Sequence, residues 1–197
     1  MTTHTLTCGE STISSPDKAL VLMFANMVLG GEQAKAPAAN SDVPAISTYW
    51  AGQGGIYAGI RQGEDGELYH LIFADKDIGE HAWGEYGTDT AATSKVNGIL
   101  NTTTLLEADG SFPAAEKAGN YSADGHHDFY LPSIGELNHA WQTIAEHFEK
   151  TWYWSSTQRS AGSAFSMNFG DGIQFNGDKS PHRARPPRPQ IAYLILH

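Results

Sequence analysis

Cysteine is almost missing from this 197-residue chain, with Cys8 its sole representative. That rules out an internal disulfide and any multi-cysteine metal site, so packing alone must hold the fold. Basic residues are also scarce: 12 Lys and Arg face 22 Asp and Glu, for a formal net charge of −10. Phosphate attraction needs clustered cations, so the acidic balance argues against general nucleic-acid binding. Long apolar runs are absent too. The longest, Ala19 to Leu29, is interrupted by Asn26 and falls well short of the ~20 residues that cross a bilayer. Met1 to Ser15 shows no basic segment leading into an apolar stretch and cleavage site; the expectation is cytoplasmic synthesis and assembly into a larger particle.

What is present suits one main α+β domain. The chain carries 21 Gly and 40% hydrophobic residues, the balance of a loop-rich globule. Ser15, Pro16 and Asp17 before an apolar stretch, with Gly30 after it, predict a helix over 18–29. That helix is apolar nearly all round, which suits oligomerisation or docking, or a core helix of a monomer. Residues 33–44 read as a linker, so 1–48 forms an appendage and 49–197 the domain. Two apolar runs, Gly55 to Ile60 and Leu68 to Ala74, flank Gly63-Glu64-Asp65-Gly66 and predict a hairpin. Thr90 to Leu100 predicts a helix, and Asn101 to Asp128 reads as loop with one turn near Ala114 to Ala118. Ser133 and Glu136 predict a capping box for a helix over 134–148 with an apolar face of Ile134, Leu137, Trp141, Ile144, Ala145 and Phe148. Strands follow at 152–156, 164–169, 172–175 and 190–196, with Gly170-Asp171-Gly172 as a turn and the last strand returning beside early ones.

Chemistry-bearing clusters are few. His126-His127-Asp128 is the densest group of metal-ligand types, with His81 and His139 elsewhere, but neighbouring loop histidines point their rings apart, so a solvated loop outweighs a metal site. Asp75 and Asp77 read as solvated charges at a strand end rather than as an acid and base. Arg159, Lys179, Arg183, Arg185 and Arg188 against Asp171 and Asp178 make the C-terminal part locally basic. Those cations suit either an anionic ligand or pairing with carboxylates of the body. The tract from Gln158 to Lys179 mixes small, polar and aromatic residues, few of which look chosen for a deep core. It reads as a surface that meets something.

Four motifs carry a resemblance: Leu131-Pro132-Ser133-x-x-Glu136-Leu137, Tyr153-Trp154-Ser155-Ser156-Thr157, Asn168-Phe169-x-x-Gly172 and Arg183-Ala184-Arg185. Together they resemble the DUF1566-type C-type lectin fold, which includes variable proteins of diversity-generating retroelements and phage receptor-binding proteins. The resemblance covers residues 49–196 and is specific mainly over 128–185. It implies a C-type lectin-like domain with two helices on a small antiparallel sheet, here preceded by the N-terminal apolar helix. It gives Asp128 a fold role, accepting backbone amides where the chain turns toward the helix. The implied scaffold is Tyr153, Trp154, Ser155, Ser156, Asn168, Phe169, Gly172, Arg183 and Arg185. The implied ligand-binding positions are Arg159, Ser160, Ser163, Phe165, Ser166, Asp171, Ile173, Phe175, Asn176, Asp178, Ser180 and His182, a mixture like that of antibody paratopes. For Phe165 and Phe175 singly, filling a small core is an equal alternative.

The sequence departs from the family at Pro186-Pro187-Arg188-Pro189, where an irregular or bulged segment is expected. The Glu-Pro-Asn and Trp-Asn-Asp motifs of calcium-dependent sugar binding are absent, so no calcium or other cofactor is expected. The expected function is non-enzymatic recognition of a host cell-surface protein or glycan, by a phage tail-fibre or virion protein or one at a cell surface. The resemblance leaves room for a homo-oligomer, such as a trimer, or docking to a virion. An oxidative or sulfatase-modifying enzyme of the same fold, or a structural virion protein, is the alternative.

Overall fold

The structure, a computed structural model, describes residues 4–8, 11–15 and 43–191. The helix expected over 18–29, most of the linker and the end of the last expected strand lie outside them. The segments β1 (His4–Cys8) and β2 (Ser11–Ser15) pair antiparallel, with Cys8 opposite Ser11, a hairpin that the sequence reading did not contain.

From Val43 onward the chain forms a separate unit. Its described residues are α+β, with three α-helices and two mostly antiparallel sheets, where one small sheet and two helices were expected. The first sheet has the order β11-β5-β4-β3 and contains β3 (Tyr49–Trp50), β4 (Gly55–Gln62), β5 (Leu68–Ala74) and β11 (Pro187–Ile191). Its centre is the expected hairpin: Gly66 takes φ of 82° in the turn, a conformation that favours glycine. The second has the order β6-β10-β7-β8-β9 and contains β6 (Glu80–His81), β7 (Trp152–Ser160), β8 (Ser163–Asn168), β9 (Gln174–Gly177) and β10 (His182–Arg183). Only its β10–β7 pair is parallel.

The expected helix over 90–100 is instead an irregular segment followed by α1 (Gly98–Glu107). Ser94 Oγ takes the amides of Val96 and Asn97, and Asn97 Oδ1 caps α1 by accepting from Leu100 N at 2.9 Å. Such side chains offer the backbone an alternative to helix and so move its start. The expected loop thus contains α1, and the single turn near Ala114 is a whole helix, α2 (Pro113–Gly119). α3 (Ile134–Ile144) begins as expected, with the full Ser133/Glu136 capping box, and a 3₁₀ turn continues it to His147.

α3 packs on β4, β7 and β8. It contributes Ile134, Leu137, Ala140 and Ile144 to a core shared with Ile56, Leu71 and Phe73 of the first sheet and Tyr153 and Met167 of the second. Phe148 and Phe169 stack there with centroids 3.8 Å apart. Trp141, expected on the apolar face, is exposed instead. A second core, containing Trp83, Leu105, Phe112 and Leu131, receives Trp154 and Ala164. Successive strand residues face opposite ways, so Tyr153 and Trp154 are both buried because β7 has a core on each side.

The prolines near the C-terminus do not break their strand. β11 pairs regularly with β5, Pro187 opposite Phe73 and Pro189 opposite Leu71. The Pro187 carbonyl accepts from Tyr130 N, while Pro186 O accepts from Ala74 N. The backbone of residues 187 and 189 therefore faces away from β5, where no ladder donor is required of this edge strand.

Candidate functional site

β7 is the frame of the candidate surface. Its Ser155 hydroxyl donates to Phe165 O at 2.8 Å, its Ser156 amide donates to Pro132 O at 2.7 Å, and its Thr157 hydroxyl donates to Ser94 O at 2.9 Å. Gln158 ties the strand to residues 88–90, accepting from Thr90 N and donating to Thr88 O. Buried polar groups need such partners, which is why a stretch so rich in hydroxyls is interior. The expectation that few residues of the tract from Gln158 to Lys179 serve a core is corrected for Gln158, Ala164, Ser166, Met167, Phe169 and Lys179, which are buried, as are Ser155, Ser156 and Thr157 before it.

The cations of the same region are also part of the frame. Asp77, expected to be a solvated charge, is 10% exposed at its side chain and meets Arg185 Nε at 2.8 Å and Arg183 Nη1 at 3.4 Å. It also accepts from the Tyr153 hydroxyl at 2.7 Å, and burial together with this carboxylate pushes the phenol well above its usual range. Arg183 reaches Glu149 as well. Arg188 forks onto Asp128 through Nε and Nη2 at 2.7 and 3.0 Å. Asp128 therefore holds a guanidinium rather than the backbone amides expected of it. Burial pulls its carboxyl up, and Arg188 overcomes that to hold it below the usual carboxylate range. Lys179 is buried, donating to the carbonyls of Glu85 and Thr88 over the Trp83 ring. Ion pairing accounts for Arg183, Arg185 and Arg188 and backbone carbonyls for Lys179, which leaves Arg159 as the exposed cation of the group.

The twelve expected ligand-binding positions fall into several places. Phe175 and His182 lie on one face of the sheet beside Trp152: the Phe175 and Trp152 centroids are 6.1 Å apart, and His182 sits 6.3 Å from Trp152 and 4.2 Å from Trp154. Gly177 makes room for this group, since a Cβ there would come within 3.1 Å of the Trp154 ring and 3.2 Å of His182 Nε2. Burial lowers the His182 pKa, against the opposing pull of its bond to Pro181 O and of nearby Asp178 and Glu80. Phe165 and Asn176 are cross-strand partners on the opposite face, where Arg159 lies 5.9 Å from the Phe165 ring centroid.

Ser160 and Ser163 join their hydroxyls at 2.8 Å beside the β7–β8 turn, and Asp178 and Ser180 bond each other in the turn after β9. Asp171 and Ile173 occupy the β8–β9 turn at the other end of β8. There, Gly172 has φ of 76°, and a Cβ would lie 2.6 Å from the Trp141 ring. Ser166 is fully buried and presents no contact surface, a correction to its expected role.

The scaffold positions Tyr153, Trp154, Ser155, Ser156, Phe169 and Arg185 are buried, while Asn168 secures the turn by accepting from Gly170 N. Sequence reasoning missed the rim aromatics Trp152, Trp141 and Tyr86. Tyr86 is 80% exposed and flanks Gly162 at the β7–β8 turn; it lies far from the motifs in sequence, so no local signal points to it. Among the described residues, no group of three metal-ligating side chains is present and no helix is long and apolar enough to cross a membrane. His126 reaches Gly52 O. Compared with protein-family models and with curated proteins, the chain matches none.

Proposed function

We propose that this protein is a non-enzymatic recognition module on a C-type lectin-like fold. In this reading β9, its flanking turns and the Trp152/Phe175/His182 face meet a glycan or protein at a host cell surface. One observation carries it: no side chain of β9 is buried and Phe175 is 58% exposed, although the strand pairs through β8 with a β7 buried on both faces. An edge strand whose residues serve no core, held by a buried and hydrogen-bonded frame, suits a preorganised contact surface. Exposed aromatic rings supply contact area at low entropy cost, and Asp178 and Ser180 in the turn after β9 supply hydrogen bonds. The deployment proposed is a phage tail fibre or other virion component, with display on a cell surface as the alternative; the segment before residue 43 would supply oligomerisation or docking, and avidity would raise weak single-site affinity.

Intact bacterial cells and a printed glycan panel probe this directly. Phe175→Ala and Trp152→Ala should each weaken binding about ten-fold or more without a change in melting temperature. Undiminished binding by both variants would remove the surface from consideration.

A further inference from the structure

A concavity lies on the first sheet, away from β9. It encloses about 400 Å³, within the size range of small-molecule sites. Leu71, Tyr130 and Glu136 are its buried members, and the exposed members include Val96, Ile99 and Leu100 from α1 and the loop before it. Ile99 and Leu100 are 45% and 53% exposed, an apolar wall facing solvent beside a ready cavity.

The polar groups are largely engaged with one another. Glu136 accepts from Ser133 N at 2.6 Å and from the Tyr130 hydroxyl at 2.9 Å, and Arg61 Nη1 lies 3.4 Å from it. Arg61 also donates to Val96 O. Glu64 accepts from Ser94 Oγ and Asn97 Nδ2, and Asp65 from Glu67 N and the Tyr69 hydroxyl. The lining thus holds the carboxyls of Glu64, Asp65 and Glu136 against the single guanidinium of Arg61. Burial raises the Glu136 pKa despite Ser133, Arg61 and Tyr130; even with that carboxyl protonated, two carboxylates outnumber one cation. An anion entering here would meet like charge, whereas a cation would be attracted.

We infer that this cavity binds a small organic cation, an amine with an apolar body laid against Val96, Ile99 and Leu100 and its ammonium group toward Glu64 and Asp65. The inference is independent of the proposed recognition surface, which shares no residue with it. Tryptamine and 3-indolepropionate, near-isosteres of opposite charge, test it by calorimetric titration of the full chain. Tryptamine should bind with an affinity that falls as salt rises, and the carboxylate should bind about ten-fold more weakly or not at all. Asp65→Asn should weaken tryptamine about three-fold or more. Leu100→Ser, at an exposed helix position, should weaken both probes while circular dichroism stays unchanged. Equal affinities for the two probes, tighter binding of the carboxylate, or no binding of tryptamine at millimolar concentration would overturn the inference.

Discussion

Arg188 shows how one side chain ties distant segments together. It is 5% exposed, forks onto Asp128 and donates through Nη1 to Gln53, joining β11, the approach to α3 and the turn before β4. Removing one partner of a buried pair costs about 3–5 kcal/mol, but the Asp128 side chain is 48% exposed, so solvent screening reduces the expected loss for Asp128→Asn to about 1–2 kcal/mol. Urea unfolding at pH 7 measures it. Because the folded carboxyl titrates below its unfolded value, its contribution is present above the ordinary carboxylate pKa and disappears as acid takes the pH through the folded one. The difference between wild type and variant should therefore shrink in acid. Gly172 is held from two directions, by its φ of 76° and by the Trp141 ring. Gly172→Ala should cost more than the roughly 1 kcal/mol of an unfavourable φ alone, and Gly172→Ala combined with Trp141→Ala should recover part of that loss.

Among the elements, α3 and the β4–β5 hairpin were legible because their signals are local. A serine followed three residues later by a glutamate satisfies amides within one turn, and Asp-Gly between apolar runs closes a hairpin. Ser133→Ala should destabilise the domain by about 1–2 kcal/mol without altering the fold, as read by thermal unfolding. α1 was misplaced because its start depends on Ser94 and Asn97 diverting backbone amides, and its buried stripe of Gly98, Asn101, Thr102 and Leu105 is half polar. Thr102 lies in that stripe because its hydroxyl bridges Gly98 O and Leu131, a contact across the fold that periodicity does not contain. In β11 the hydrogen-bonding side of each residue, which pairing with β5 alone reveals, decides whether a proline is tolerated. Pro187→Ala and Pro189→Ala should each shift stability by less than about 1 kcal/mol, whereas Arg188→Pro, at the position facing β5 and carrying the Asp128 pair, should cost about 3 kcal/mol or more.

For the molecule as a whole, three histidines, His70 buried and His139 and His182 partly buried, set a pH response. His70, against the Tyr57 hydroxyl at 2.7 Å, His139, against Ala58 O, and His182 all have pKa values lowered by burial. The unfolded chain then takes up protons first, so stability is complete above the ordinary histidine value near 6.5 and declines as pH falls toward the lowered folded values. The urea midpoint should drop between pH 7.5 and 5, and a flat profile would contradict the desolvation of these rings.

The amino-acid sequence by itself determined the α+β class, the capped helix, the central hairpin, and that residues 152–156 are a strand, because each depends on neighbours within a few residues. Only tertiary structure decided that this strand has a core on both sides, that Arg183 and Arg185 are bound to Asp77 and Arg188 to Asp128, and that Phe175 and His182 share a face with Trp152 while Phe165 and Asn176 do not. A side chain's direction on a strand follows from pairing register and from what packs on each sheet, and those are properties of segments far apart along the chain.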